Sequence, residues 1–570
     1  MKLLKKMKNN KTKIALLLLT ALFISCSDYL DVDTDKDNPT IAPEALLLSQ
    51  IEIDVAKVGD FDLYTGTILG VYTHQMTTRE NVDQYGVRGD NFSMSNDWNN
   101  IYLTLTNIES LISLSTESGN LVYLGMAQMQ KAYLMSVAVD LWGDVPFTEA
   151  SKLTSGITSP KFDDQKEVYA AVFSLIETAK ANITSNAGAA KPAGDDFYYN
   201  GNTGQWIKFI NTFKLKLYNQ VRLSSNFDQA GFDALVAENN FFTSIEDDFQ
   251  FTHTSVLAPL DERNNLFIES YPSTQFSTYQ SPWFYEILKG VNPNIHTNNA
   301  DPRMKYYFFN QLTAGTLPPD QGNPATGNPR ADYWDKSSGF FSIRFGSVGP
   351  DRDSSAENSY TYPGIFPAGG RYDDSLGAVI TQASGTGIAP RRILTYDEFL
   401  YIQAELIQAG KLSGAGTAAT KLEQAINASF AKVDDVVANN GSSQTGIPIL
   451  TGSAAVTTFI GNVMAEYTAA ATNKKLEIIM TQKWVATFGD PLDQYNDYRR
   501  TGFPILANPT GGPSPEYQLN NADGFPLIDS QTIQNNLFQT SFFWPQNELN
   551  ANQNAPAQKN PTTYKIFWDN

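Results

Sequence analysis

Aromatic and polar side chains in three irregular stretches are the residues best suited to chemistry, and that chemistry is non-covalent binding. A sugar ring has apolar faces and a polar edge, so a stacked Trp or Tyr beside Asn, Asp, Gln or Arg is suited to hold it. An oligopeptide would use the same side chains, and so would packing between loops or contact with a partner protein. The candidates are Arg79, Tyr85, Arg88, Asp90 and Asn91 in the loop 79–98, Tyr271, Tyr279 and Trp283 in the stretch 271–285, and Tyr333, Trp334 and Arg344.

Catalytic and metal-binding patterns are scarce in this sequence. The three histidines, His74, His253 and His296, lack a spacing such as H-E-x-x-H, and neither a G-x-S-x-G elbow nor a G-x-x-x-x-G-K-[ST] loop is present. A glycoside hydrolase needs only two carboxylates, but 60 acidic residues always provide a pair. We therefore predict a protein that is not an enzyme and needs no cofactor, with a surface glycoside hydrolase as the alternative.

The only cysteine, Cys26, directly follows an N-terminus of the export type. Six lysines within residues 1–13 precede an apolar run at 14–24, which is shorter than the roughly 20 residues that span a bilayer. A lone cysteine cannot form an internal disulfide, and in this position it is typical of lipidation; the alternative is a secreted protein with a free thiol. Residues 1–25 are predicted to be a lipoprotein signal peptide and Cys26 the lipidated residue.

Residues 26–43 are predicted to carry the lipid and form an acidic tether. The stretch contains acids and prolines but has no periodic apolar pattern. Alternating Asp31, Asp33 and Asp35 are similar to the start of a calcium loop, but Lys36 stands where that loop needs glycine and Ala42 where it needs glutamate. A structural calcium stays open here, and a solvated tether is the preferred interpretation.

The charge balance of the chain restricts its partners. The formal net charge is −19, and it becomes −25 when the six N-terminal lysines are lost. Such a surface repels phosphate, so we expect no nucleic-acid binding, and a lipid rather than electrostatic attraction would hold the protein at a membrane. Because only 18% of residues are charged, much of the polar surface must be neutral, which suits hydroxyl-rich ligands.

Helical periodicity indicates the elements that position these loops. Apolar residues recur every three to four positions through 44–244 and again through 393–570, whereas 245–392 is rich in Gly, Pro, Asn and Ser. The predicted helices are 44–58, 64–76, a third from Ser95 or Asn96 to 112, then 120–142, 165–182, 204–223, 228–238, 396–409, 418–437, 454–471 and 474–488, followed by a turn-rich tail from 489.

The helices predict a mostly α fold. Each is too amphipathic to stand alone, and stacked helical hairpins would bury such faces. We predict one domain, 44–570, of degenerate tetratricopeptide-like helix pairs that support a loop-rich, irregular ligand-binding face. Its N-terminal repeats are 44–244, its loop-rich insertion 245–392, and its C-terminal helices and loops 393–570.

Five strings stand in order along the chain: QMQKAYLMSVAVDLWGDVPFTEA (128–150), DDFYYNGNTGQWIKFINTFKLKLYNQVR (195–222), RRILTYDEFLYIQAEL (391–406), LEIIMTQKWVATFGD with NDYRRTGFP (476–504), and FFWPQNELNANQNA (542–555). Together they resemble the SusD/RagB outer-membrane lipoproteins of the Bacteroidetes, in particular the SusD-like subgroup. The last string has Phe542 where an arginine is common in that family, and the acidic residues after Cys26 are similar to the cell-surface signal of these lipoproteins.

The resemblance implies a tetratricopeptide-like fold and a role at the cell exterior. It implies a lipoprotein that captures an oligomeric nutrient, such as an oligosaccharide or polysaccharide, and serves as the lid of a SusC-type TonB-dependent outer-membrane barrel. Oligopeptides are the alternative ligand. A third reading is a tetratricopeptide-type assembly factor that binds protein only.

Overall fold

The computed structural model describes residues 42–79, 83–273, 277–318, 333–348, 358–506, 533 and 535–569. The signal peptide, Cys26, most of the tether and its aspartates lie outside the described residues. Seventeen α-helices occur in the described part of the chain: α1 (Glu44–Lys57), α2 (Thr65–Tyr72), α3 (Phe92–Ser118), α4 (Leu121–Trp142), α5 (Gln165–Ser185), α6 (Thr203–Val221), α7 (Gln229–Glu238), α8 (Asn265–Ser270), α9 (Pro282–Lys289), α10 (Met304–Tyr307), α11 (Ile365–Ala368), α12 (Tyr396–Gln408), α13 (Ala418–Asn439), α14 (Ala454–Ala469), α15 (Thr472–Ala486), α16 (Pro491–Thr501) and α17 (Gln546–Ala551).

Eight short strands accompany these helices in the described residues. They pair antiparallel in four two-stranded ribbons, β1 with β3, β2 with β8, β4 with β7, and β5 with β6. Their bounds are β1 (Met76–Thr78), β2 (Phe249–Phe251), β3 (Thr278–Gln280), β4 (Phe308–Phe309), β5 (Tyr333–Asp335), β6 (Phe340–Ser342), β7 (Tyr362–Pro363) and β8 (Arg391–Leu394).

The mostly α fold of tetratricopeptide-like helix pairs is confirmed. In the N-terminal part α3 packs on α1 and α4, and α4 packs on α5; in the C-terminal part α12 packs on α13 and α15, while α6 reaches α12. The described α-helices within 245–392 are short, with eight residues or fewer.

Helix α4 is the centre of the N-terminal half because it is apolar on every side. Nearly all of its residues are buried, as expected for a helix surrounded by others. It ends at Gly143, whose φ of +76° favours glycine. The ring of Trp142 then meets that of Trp98 on α3 edge to face, with ring centroids 5.3 Å apart.

Helix α3 connects two distant ends of the molecule. It has 27 residues, which corresponds to about 40 Å. At its C-terminal end, Ser118 Oγ and Asn120 Nδ2 donate hydrogen bonds of 2.8 and 2.6 Å to Glu44, the first residue of α1. The start of α1 is therefore fixed to this end of α3.

Three predicted boundaries were wrong. The predicted helix 64–76 ends at Tyr72 because His74 has a φ of +58°, and its last predicted residue belongs to β1. Helix α3 begins at Phe92 rather than after Ser95 or Asn96, since the Asn91 side chain accepts a 2.9 Å hydrogen bond from the Ser93 N–H and caps the helix. The tail predicted as turn-rich contains α16.

Candidate ligand-binding cleft

The ribbon of β1 and β3 brings two of the predicted ligand-binding stretches together. Thr77 pairs with Tyr279 and Thr78 with Thr278, and the Arg79 N–H donates a 3.3 Å hydrogen bond to the Ser277 carbonyl. The loop before α3 and the segment after α8 therefore lie side by side. A cleft of about 340 Å³ opens between this ribbon, the start of α2 and the start of α3.

The walls of the cleft combine apolar, aromatic and polar side chains. Phe92 is 69% exposed although it is a large hydrophobic residue, and such a ring offers a stacking face. The lining residues are Asp62, Leu63, Tyr64, Thr67, Ile68, Val71, Thr78, Gln84, Val87, Asn91, Phe92, Ser93, Glu269, Ser277 and Thr278.

Asp97 holds the two helices of the cleft in place. One oxygen of this buried carboxylate accepts hydrogen bonds from the Thr65 hydroxyl, the Thr65 N–H (3.2 Å) and the Gly59 N–H (3.4 Å). Burial raises the pKa of Asp97 to about 7, against the lowering effect of these hydrogen bonds. The start of α2 is thus fixed to α3.

The turn before α2 is conformationally strained. Asp62 and Tyr64 have φ values of +63° and +47°, which non-glycine residues adopt only where the surroundings enforce it. Asn265 Nδ2 donates a 2.9 Å hydrogen bond to the Asp62 carbonyl, and Thr278 Oγ1 donates a 2.7 Å bond to the Asp62 carboxylate. These contacts hold both Asp62 and Tyr64 on the cleft wall.

Four predicted ligand residues lie at or beside this cleft. Asn91 lines it, and its side-chain oxygen is used by the α3 cap. Arg88 and Asp90 flank it as an exposed ion pair with 3.6 Å between Nε and Oδ1. Arg79 directly follows β1 and is partly buried.

The other seven predicted residues are buried in the core: Tyr85, Tyr271, Tyr279, Trp283, Tyr333, Trp334 and Arg344. Several have protein partners, so their polar atoms are already engaged. The Tyr271 hydroxyl donates to the Pro363 carbonyl (2.8 Å), Trp283 Nε1 donates to the Ile505 carbonyl (3.0 Å), and the Tyr333 hydroxyl donates to Glu286 (2.8 Å). A ligand would reach these side chains only if the covering residues moved, and their role in binding stays a prediction.

Sequence reasoning missed several cleft residues, above all Phe92, Tyr64, Asp62 and Glu269. The misplaced start of α3 concealed Phe92. Once Asn91 is taken as the cap, Phe92 lies off the buried stripe of Met94, Trp98 and Ile101, and an apolar residue outside the core stripe is a signal that could have found it.

Two further clefts are less suited to a ligand. One of about 410 Å³ lies between α3 and α17, but its Trp98 is buried against Trp142 and Phe162, and the Tyr102 hydroxyl donates to the Pro146 carbonyl. Another, of about 390 Å³, is acidic. Its Asp196 accepts hydrogen bonds from three backbone N–H groups and from the Trp206 indole, so it is a structural residue.

One buried carboxylate trio is close enough to share a metal ion within the described part of the chain. Glu398, Asp490 and Asp493 have oxygens within 4.8 Å of one another. Lys216 contacts Asp493, Arg391 lies 3.3 Å from Asp490, and Lys483 lies 3.4 Å from Glu398. These cations neutralise the trio, which therefore belongs to an ion-pair network rather than to a metal site.

Comparison with known proteins identifies the family. A model of SusD-like proteins, described as starch-binding and associating with the outer membrane, matches residues 36–526. The chain belongs to the SusD-like family. The search of curated proteins gives no significant match.

Solved SusD/RagB proteins share the fold of this SusD-like chain at low identity. A SusD/RagB family protein from Bacteroides thetaiotaomicron is 21% identical with a TM-score of 0.61, over 81% of this chain and 88% of the other. A SusD homolog from Bacteroides fragilis is 22% identical (TM-score 0.59; 89% and 94%). A chitin-binding SusD homolog from Flavobacterium johnsoniae is 19% identical (TM-score 0.60; 92% and 99%).

The family places this SusD-like protein among outer-membrane-associated nutrient-binding proteins. Within the described ranges, none of the helices combines the length and the apolar character needed to cross a bilayer.

Proposed function

We propose that this protein captures an oligosaccharide or polysaccharide in the cleft between β1, β3 and the start of α3, and delivers it as the lid of a SusC-type TonB-dependent outer-membrane barrel. Lipid on Cys26 holds it at the outer membrane, facing the exterior. It binds without catalysing a reaction.

The exposed ring of Phe92 beside hydroxyl and amide groups is the observation that carries the proposal. A stacking face lies next to Tyr64, Asn91 and Ser93, which matches the apolar face and polar edge of a sugar. The Asn91 amide nitrogen and the Tyr64 hydroxyl have no partner in the described structure, so both are available to a ligand. The family description and the chitin-binding relative support a saccharide over a peptide.

Calorimetric titration of the soluble form that begins at Ser27 tests the proposal. The ligands are neutral hexasaccharides of differing linkage and a mixed oligopeptide library. We expect one linkage to bind and the peptides to give no heat. Peptide binding alone would replace the saccharide with an oligopeptide, and binding of neither would refute ligand capture by this protein on its own.

Replacing the stacking residue localises the site. We expect Phe92→Ala to weaken saccharide binding about tenfold, because one stacked ring contributes on the order of 1 kcal/mol or more. Phe197→Ala is the matched control, since Phe197 is also exposed but lies outside the cleft. Equal affinities of the two variants would place the site elsewhere.

A surface glycoside hydrolase is the competing function, and the carboxylates Asp62 and Glu269 in the cleft are the observation in its favour. Both oxygens of Asp62 accept hydrogen bonds from threonine hydroxyls, so this carboxyl is occupied. Chromatography of the bound saccharide after prolonged incubation distinguishes the two, and we expect it to be recovered intact. Shortened products would favour the hydrolase.

Purification in mild detergent tests the barrel partnership. We expect a TonB-dependent barrel to co-purify with the lipid-anchored chain. Recovery of the chain alone would leave saccharide binding intact and refute the role as a lid.

A further inference from the structure

The charged residues that line the cleft are all acidic. Asp62 and Glu269 are in its lining, whereas no lysine or arginine is among the described lining residues. A negatively charged group on a ligand would therefore meet two carboxylates and no cation in the lining, in a partly enclosed space where charge interactions are stronger than in bulk water.

Asp62 lies on the inner wall of this cleft. Its residue is buried, and its two oxygens accept hydrogen bonds from the hydroxyls of Thr278 (2.7 Å) and Thr67 (3.5 Å). Burial, with a smaller contribution from the nearby Glu269, raises the pKa of Asp62 to about 7 against the lowering effect of the two hydroxyls. A negatively charged ligand group in the cleft would make the ionised form of Asp62 still less favourable.

Glu269 is the carboxylate that a ligand can reach. It lies on α8, is exposed, and has no hydrogen-bond or ion-pair partner among the described residues. Partial desolvation by the cleft walls raises its pKa. An unpartnered carboxylate accepts hydrogen bonds from hydroxyl, amide or ammonium groups and repels another carboxylate or a sulfate.

The exposed cation Arg88 beside the cleft offers little compensation. Arg88 lies between the lining residues Val87 and Asn91, but it is 82% exposed and faces Asp90 at 3.6 Å. Solvent screens an ion at this position, and the pair together has no net charge.

We propose that this cleft selects saccharides by charge: it accepts units that carry hydroxyl, acetamido or amino groups and rejects units that carry carboxylate or sulfate, with Glu269 as the discriminating residue. The inference rests on the proposed saccharide-binding function and names the substrate class of the same cleft.

A matched pair of ligands tests this selectivity. The probe is the neutral hexasaccharide that binds best among α-1,4-glucose, β-1,4-glucose and β-1,4-N-acetylglucosamine hexamers, and its counterpart is the same hexamer oxidised at C6 to the uronate or, for the N-acetylated sugar, sulfated at C6. At pH 7.5 and low salt we expect the acidic form to bind at least about tenfold more weakly. Comparable affinity for both forms would refute the selectivity and leave saccharide binding intact. Binding of neither form by the wild-type chain would refute both.

Glu269→Gln isolates the contribution of the reachable carboxylate. Because this side chain is exposed, the variant is expected to fold. We expect the ratio of the affinity for the neutral ligand to that for the acidic ligand to fall at least threefold. Glu423→Gln on α13 removes the same charge at an exposed position outside the cleft and should leave the ratio unchanged. An equal narrowing in both variants would mean that overall charge, rather than Glu269, excludes acidic ligands.

Discussion

The buried carboxyl of Asp97 makes the cleft scaffold sensitive to pH. Burial raises its pKa to about 7 from an ordinary value near 3.8, so the folded state keeps a proton that the unfolded state has released. Between those values the folded chain binds more protons, and the free energy of unfolding therefore falls as pH rises.

Asp97→Asn should remove this pH-dependent contribution. We expect the free energy of unfolding of the variant, relative to that of wild type, to rise by roughly 2–4 kcal/mol between pH 5 and pH 8, since each pKa unit corresponds to about 1.4 kcal/mol. Urea unfolding at both pH values measures the gain, with Asp233→Asn on the exposed face of α7 as the control. The same difference in unfolding free energy between variant and wild type at both pH values would contradict the expectation.

Gly143 and Gly119 distinguish two ways in which a side chain at a positive φ destabilises the fold: backbone strain alone, and backbone strain together with a steric clash. Both have a positive φ, +76° and +72°, but a Cβ on Gly143 would lie 2.5 Å from the Tyr564 ring, whereas nothing is within 4 Å of one on Gly119. Gly119→Ala should lower the free energy of unfolding by about 1 kcal/mol, and Gly143→Ala by at least roughly 2 kcal/mol. Chemical denaturation measures both, and equal losses would mean that Tyr564 moves aside freely.

At the scale of single residues, the position of an aromatic side chain is easier to infer in a helix than in a loop. Trp142, Trp206 and Trp484 lie in helices and are buried, which is the usual place of a large aromatic ring there. The aromatic, turn-rich composition of 245–392 predicted ligand-binding residues at the surface, yet Trp283 and Tyr333 pack inward. In a loop there is no helical period that distinguishes the inner face from the outer one, so composition could not assign a side.

Helix α16 is the element that periodicity could not predict. Its buried residues include Asp493, Asp497, Arg499 and Arg500, and an amphipathic pattern assumes that charged residues face solvent. Here they face inward because α6, α12 and α15 supply the opposite charges.

The ion-pair network of α16 is centred on Glu405 of α12. This buried carboxylate accepts hydrogen bonds from Arg500 and from Asn219 (2.8 Å), and Arg222 lies 2.9 Å away. Burial opposes its ionisation, but the two arginines hold the pKa of Glu405 well below its ordinary value. The stabilisation is therefore present above about pH 4.5 and is lost as pH falls below it.

Glu405→Gln should destabilise the fold strongly. Two buried guanidinium groups would lose their counter-charge, and we expect the free energy of unfolding to fall by about 3–5 kcal/mol at pH 7. The surface pair Lys57–Asp54, with 3.0 Å between its atoms, is the comparison: Lys57→Gln should cost less than about 1 kcal/mol. Similar losses in urea denaturation would show that the network contributes no more than a surface pair.

For the whole molecule, the proposed lipid on Cys26 would decide where the cleft operates. We expect Cys26→Ser to abolish incorporation of labelled palmitate and to release the protein from the outer-membrane fraction, because stable attachment needs covalent lipid. Ser27→Ala should leave both unchanged. Retention of the unlabelled variant in the membrane fraction would indicate attachment through protein contacts.

The length of helix α3 would turn a small rotation at one of its ends into a large displacement at the other. One end carries Phe92 and the cleft, and the other is hydrogen-bonded to Glu44, the first residue of α1. A tilt of only about 20° about that second end would move the cleft by roughly 14 Å, given a helix about 40 Å long. For the proposed lid, such a small change in angle would uncover or close an opening wide enough for an oligosaccharide, with no rearrangement inside the cleft itself.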